Sequence, residues 1–250
     1  MPPSSIAIEP AGDVTVLRLS HPPANAIDLE FALAFEAAFA EAMAGDPQAL
    51  VLTGTGEFFS AGLNLKTVPG YSPEDQRGML KVINRLLGAL YGCPVPVVGA
   101  INGHAVAAGF ILALNADYRV GPRGDFQVGL TEARVGIPFP AASMIILQAE
   151  LTPQQVRFTT LQARNFGPDE ALERGVFDEL RPAGEVRGRA LEIARDMASI
   201  PSDAYRRIKY QVREGALARI AEINATDADP MIEGWLSPEA PSASAALLEG

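Results

Sequence analysis

The stretch PVPVVGAINGHAVAAG, running from Pro94 to Gly109, opens on a short valine-rich run and then passes through small residues. An apolar run of this length, with no polar alternation, predicts a buried strand over Pro94–Ile101. Ala108–Leu114 then reads as a short helix, followed by a strand at Asp117–Val120. Working outward, Ala49–Thr53 is a second buried strand. It leads into a glycine-containing loop, Gly54–Gly62, and a long helix capped by Ser72 and ending near Tyr91. Further upstream, Val14–Leu19 reads as a strand and Asp28–Ala44 as a helix, with Asp28 as N-cap and Gly45 as its stop. Strand, strand and helix recur with drift, which predicts an α/β body.

Beyond Pro140 the pattern turns helical: Ala141–Glu150, Pro153–Leu161, Pro168–Arg174, a short strand at Val176–Leu180, then Glu185–Ser199 and Ser202–Ile223. The expected organisation is a core over residues 1–185 that carries the site. A helical region over 186–250 would serve as oligomer contact and pocket cover. The last stretch, SPEAPSASAALLEG from Ser237, is low in bulky residues and is expected to be poorly ordered.

Composition removes several classes. Apolar residues make up 48% and the longest apolar runs fall short of a membrane span, so no membrane partner is expected. The opening MPPSSIAIEPAGDVTV has neither a basic and apolar leader nor an Arg-rich amphipathic one, giving a cytoplasmic expectation. A net charge of −10 without a basic cluster argues against nucleic acid, while leaving room for a phosphorylated small ligand. Cys93 is the only cysteine, which excludes an intrachain disulfide; it reads as packing. His21 and His104 are the only histidines and cannot form an H-E-x-x-H zinc site, so no metal is expected. Gly54-Thr-Gly56 lacks the third glycine of a dinucleotide fingerprint, and Phe58 before Ser60 breaks the G-x-S-x-G elbow of serine hydrolases.

Two segments share a feature that points to chemistry. FFSAGLNLK (Phe58–Lys66) and INGHAVAAG (Ile101–Gly109) each follow a buried strand and run through small residues into a turn or helix. Backbone N–H groups are left free at such places, and small side chains allow a ligand close to them. Either segment alone reads equally well as a tight packed turn; the pair together is far more specific.

FFSAGLNLK resembles the F-[SA]-[AS]-G-x-D-[LI]-K segment of the crotonase superfamily, the enoyl-CoA hydratases and isomerases. PVPVVGAINGHAVAAG resembles its P-V-[IV]-A-x-[IV]-x-G-x-[AC]-x-G-G-G segment, ADYRV and GLTEARVGIPFP the strand and loop that follow, and NFGPDEALERGVFDEL a later element. The resemblance runs in order over most of residues 14–180. It implies a spiral of ββα units with a helical C-terminal region, assembled as a homotrimer or homohexamer. It also implies an acyl-coenzyme A thioester as substrate, with coenzyme A entering as part of that substrate and no separate cofactor. By the same resemblance the N–H groups of Leu63 and Ala108 form an oxyanion hole. Ala61, Leu63, Asn64, Leu65 and Lys66, with Ala107, line the thioester and coenzyme A site, Lys66 near the nucleotide.

The resemblance also allows a count of carboxylates. Hydratases of the family hold the attacking water between two glutamates; here the first falls on Ile111 and the second on Glu132. One carboxylate opposite an oxyanion hole suits the shift of a 3-enoyl to a 2-enoyl thioester, which needs only one base. Among apolar neighbours such as Val135 and Ile137, Glu132 is expected to have a raised pKa. Without the resemblance, Glu132 reads as a surface carboxylate paired with Arg134 or capping a turn. The competing readings are another crotonase reaction, such as hydration or thioester hydrolysis, and a non-catalytic acyl-CoA-binding scaffold. Asn64 in place of Asp, Ala107-Ala108 in place of a glycine pair, and Pro138-Phe139-Pro140 in place of a glycine-rich stretch mark departures from the pattern. The acyl pocket is expected from Leu65–Tyr71, the helix Ser72–Tyr91 and the C-terminal helices.

Overall fold

The computed structural model describes residues 5–249. The chain opens with β1 (Ile6–Ala11) and β2 (Val14–Leu19), an antiparallel hairpin, and α1 (Leu29–Ala44). Three turns of a spiral follow. Each gives one strand to a large sheet, one to a small sheet, and then a helix: β3 (Ala49–Thr53), β4 (Phe58–Ser60) and α2 (Pro73–Tyr91); β5 (Val97–Ala100), β6 (His104–Val106) and α3 (Ala108–Leu114); β7 (Tyr118–Arg123), β8 (Val128–Gly129) and α4 (Ala141–Glu150). After α5 (Pro153–Leu161), β9 (Asn165–Phe166) and α6 (Pro168–Glu173) return the chain to β10 (Glu179–Pro182). Then come α7 (Val186–Ala198), α8 (Ser202–Thr226) and α9 (Ala240–Glu249).

The large sheet runs β1-β2-β3-β5-β7-β10 and the small one β4-β6-β8-β9. Pairing is parallel from β2 through β10 and from β4 through β8, so the strands are joined by crossovers. One face of the large sheet packs on α1, α2 and α3 through the main core, where Phe31, Phe35, Leu50 and Leu52 are almost fully buried. The other face is covered by α7 through Val186, Ala190 and Ala194, packed on Val51, Val98 and Val120. These strands are buried on both faces, which is why they read as continuous apolar runs.

The caps act as expected. Asp28 accepts from the Phe31 amide at 3.0 Å and Ser72 from the Asp75 amide at 3.2 Å. The short strands β4, β6, β8 and β9 are not visible as periodicity, since a pair or triplet of residues has no period to read. The final segment departs from expectation: α9 is helical, because its alanines have high helix propensity and Ala240 is buried against the body. α8 presents charge to the body in its first half, where Lys209 and Arg213 are buried while Ile208 and Val212 face outward, and apolar residues in its second, where Ile220 is buried with Leu217 and Ile223 against the core. Among the described residues no helix is long and apolar enough to cross a membrane.

Candidate active site

The two small-residue segments meet. Gly62, after β4, has φ +80°, and a Cβ there would lie 2.5 Å from the Ala107 Cβ and 2.8 Å from the Ala108 amide nitrogen. Only glycine fits this approach. Gly109 is packed as tightly against the Ser60 carbonyl. The Leu63 and Ala108 amides therefore lie on facing loops, and among the described residues neither donates to an acceptor. Ala108 opens α3, whose preceding residue, Ala107, supplies no capping side chain. Ala107 takes φ 53° and ψ −129°, a conformation suited to glycine, so an alanine here is strained.

The neighbouring backbone is committed elsewhere. The Ala61 amide donates to the Ala24 carbonyl and the Asn64 amide to the Ile27 carbonyl, pinning this loop to the entry of α1. Asn64 donates through Nδ2 to Asp28 Oδ2 at 3.2 Å, and its Oδ1 accepts from the Lys66 amide. This accounts for the asparagine. Asp28 already caps α1, and a second carboxylate at position 64 would oppose it. Leu65 is half-buried against the core, and Lys66 is exposed.

Glu132 begins a single 3₁₀ turn, Glu132–Arg134, that follows β8. It is 7% exposed, and its Oε2 has no hydrogen-bond partner among the described residues. Burial pushes its carboxyl from an ordinary 4.5 up to about 7, against a smaller downward pull from backbone amides. It does not pair with Arg134, which donates instead to the carbonyls of Ala163 and Gln162 at the end of α5.

Glu132 lines a cavity whose empty space, mouth included, is about 590 Å³. Leu63, Ala108 and Ile111 line the same cavity. Apart from Ser143 the rest of the wall is apolar, with Phe31 and Phe35 from α1, Leu86 and Leu87 from α2, Phe139, and Trp235. Among the described residues Glu132 is the only titratable side chain on that wall. Ile111, the position that the resemblance gives to a second acid, is buried. The expected contribution of α2 is present. The segment Leu65–Tyr71 does not reach the wall, because the loop turns away into a 3₁₀ turn at Val68–Gly70 whose Val68 is buried in the core. Phe31 and Phe35 of α1 lie outside the segments expected to line the pocket. The C-terminal contribution is Trp235, from the irregular segment before α9.

Comparison with known proteins agrees with this architecture. The enoyl-CoA hydratase/isomerase family profile matches residues 9–233. Human enoyl-CoA delta isomerase 1, mitochondrial, is 30% identical over 232 residues, covering 90% of this chain and 75% of that protein. Carnitinyl-CoA dehydratase of Escherichia coli is 32% identical over 192 residues, covering 75% and 72%. The crystal structure of human mitochondrial delta3-delta2-enoyl-CoA isomerase superimposes with a TM-score of 0.91 at 26% identity, covering 98% of this chain and 97% of that one. With a profile match over most of its length and a shared spiral fold, the chain belongs to the enoyl-CoA hydratase/isomerase family of the crotonase superfamily.

Proposed function

We propose that the protein is a 3,2-enoyl-CoA isomerase in which Glu132 is the single base and the Leu63 and Ala108 amides hold the thioester oxygen. The observation that carries this reading is the cavity wall itself: one carboxylate with an unpartnered oxygen, and isoleucine where a second acid would stand. With the acyl chain among Phe31, Phe35 and Leu86, the thioester carbonyl points between the two loops. Glu132 takes a proton from C2 of the 3-enoyl thioester; the C2–H electron pair becomes the C1=C2 bond and the carbonyl π pair moves onto the oxygen, giving a dienolate that keeps C3=C4 until that pair takes the proton at C4, as C1=C2 becomes C2=C3 and the carbonyl re-forms. The two amides stabilise the oxygen charge as it develops, and losing one such donor typically costs about 3 kcal/mol. Return of the proton from Glu132 to C4 gives the conjugated 2-enoyl thioester. No proton is gained or lost overall. A pKa near 7 suits a group that must both accept and donate at neutral pH.

Hydration is the second reading, supported by the similarity to carnitinyl-CoA dehydratase. A water added across C2 and C3 needs its own base and acid, and Ile111 can be neither. With the isomerase reading go Ala61, Asn64, Leu65, Lys66 and Ala107 as the thioester and coenzyme A contacts, and coenzyme A carried by the substrate. A cytoplasmic location and a trimer or hexamer joined through the Ile208 and Val212 face of α8 complete the proposal. The test is an ultraviolet assay of a 3-enoyl-CoA, following conjugation of the thioester, with Glu132→Gln as control. Rapid conjugation that falls by about 10³-fold in the variant supports the reading. Binding without conjugation sinks it.

A further inference from the structure

Glu132 stands on a segment with little regular structure, yet its position decides the chemistry. The loop from Val135 to Pro140 contains Gly136 at φ +68° and two prolines, and it leads directly into α4. Pro140 is the N-cap of α4 and offers no capping side chain. Its work is done by residues far away in sequence. Asp229 Oδ2 accepts from the Ala141 amide at 2.9 Å, and Asn84 Oδ1 accepts from the Ala142 amide at 3.0 Å. Asn84 Nδ2 also donates to Asp229 Oδ2 at 2.7 Å, and Asp229 Oδ1 takes the Met231 amide at 2.8 Å. Asp229 is 3% exposed and is satisfied by amides rather than by a cation.

The same strap follows the loop back toward Glu132. The Trp235 indole N–H donates to the Pro138 carbonyl at 2.8 Å, and the Ser237 amide donates to the Gly136 carbonyl at 3.1 Å. Trp235 is fully buried and forms part of the cavity wall. The loop is thus tied at Gly136, Pro138 and Ala141 by one strap, while Arg134 ties its other end to α5.

We infer that the strap Asp229–Ser237 is a positioning device for Glu132, in which Trp235 and Asp229 hold the carboxylate at its place in the cavity and keep water from it. This rests on the reading of Glu132 as the base. Trp235 and Asp229 are positioning residues; they act on the reaction through the Glu132 loop. The other charged groups around the site are turned elsewhere. Arg157 of α5 donates to the Pro153 carbonyl, Lys81 and Arg85 of α2 pair with Asp227 and Glu36, and Glu150 of α4 faces Arg119 and Arg213. Glu30 and Glu41 of α1 are exposed, and α3 carries no titratable residue. Exclusion of water is therefore the lever the strap holds over Glu132.

The test uses Trp235→Phe, which keeps a ring in the wall but loses the N–H donor, and Asp229→Asn, which cannot accept at both oxygens. The readouts are the kcat and KM of isomerisation and an NMR titration of ¹³C-labelled glutamate carboxyls, with Glu132→Gln identifying the resonance. Each variant is expected to lower kcat by about 10-fold with KM within about twofold, and to move the Glu132 midpoint down by about one pH unit as water enters. If Asp229→Asn fails to fold, Trp235→Phe carries the test alone. A folded variant with reduced thermal stability but unchanged kcat and midpoint would overturn the inference, since the strap would then be structural only. Absence of isomerisation in the unaltered protein would refute the isomerase reading, and the titration would still decide whether the strap governs Glu132.

Discussion

Two of the places where this molecule buries charge do so in opposite ways. Beneath α8, Asp117 receives Lys209 at 2.6 Å, Arg213 at 3.0 Å, the Tyr205 hydroxyl at 2.9 Å and the Val97 amide at 2.8 Å. Arg213 extends the network to Glu150 and the Tyr91 carbonyl, with its guanidinium 3.9 Å from the centre of the Tyr91 ring. Every charge there has a partner of opposite sign. In the cavity, Glu132 has none. The first arrangement returns in Coulomb energy and hydrogen bonds what desolvation takes, and it holds a helix in place. The second leaves a carboxylate whose proton is easily exchanged, which is a state suited to chemistry.

Removing one partner from the paired region is expected to have the largest effect. Asp117→Ala leaves Lys209 without an acidic partner and Arg213 with Glu150 alone, and should cost about 3–5 kcal/mol in urea unfolding. A loss below about 1 kcal/mol would mean that the network does not hold α8.

The unpaired region should behave in the reverse sense. Glu132 has its pKa raised on folding, so its neutral form adds stability that is complete below pH 4.5 and is lost as the pH rises through about 7. A shift from 4.5 to about 7 corresponds to about 3 kcal/mol. The stability advantage of Glu132→Gln over the unaltered protein should therefore grow by about that amount between pH 4.5 and pH 8, as read by urea unfolding. A difference that is flat with pH would place an ordinary, solvated carboxylate at position 132.

Activity reads the same group. With Glu132 as the base, kcat/KM should fall about 10-fold per pH unit below about 7 and level off above it. A profile that bends near 4.5 would contradict the burial argument.

The smallest effect concerns the loop opposite Glu132. Ala107→Gly removes the Cβ from a conformation that suits glycine and should raise stability by about 1 kcal/mol, even though glycine has more freedom to lose on folding. A fall in melting temperature would show that the alanine methyl packs well enough to offset its strain.

Much of the spiral was legible in the sequence, for a definable reason. Buried parallel strands such as Ala49–Thr53 read as unbroken apolar runs, and α1 and α2 announce themselves through Asp28 and Ser72 at their caps. The contrast of Ile111 with Glu132 comes from the family resemblance, which points to those two positions; that both line one cavity is a finding of the structure. What escaped was whatever depends on contacts between distant segments. The buried face of α8 carries Lys209 and Arg213, and charge at such positions reads as a solvated surface until Asp117 and Glu150 are placed beneath it. Asp229 and Trp235 lie in an irregular stretch with no period, and their partners at Ala141 and Pro138 are remote in the chain. Asn64 looked like a departure from the family pattern until Asp28 was found beside it.

The account rests on one carboxylate carrying one proton within a cavity walled from water. A 3-enoyl-CoA carrying deuterium at C2, converted in ordinary water and analysed by mass spectrometry and NMR, tests this most directly. The account predicts that much of the label reappears at C4 of the 2-enoyl product. Product with no deuterium at C4, or a 3-hydroxyacyl thioester formed in its place, would contradict it.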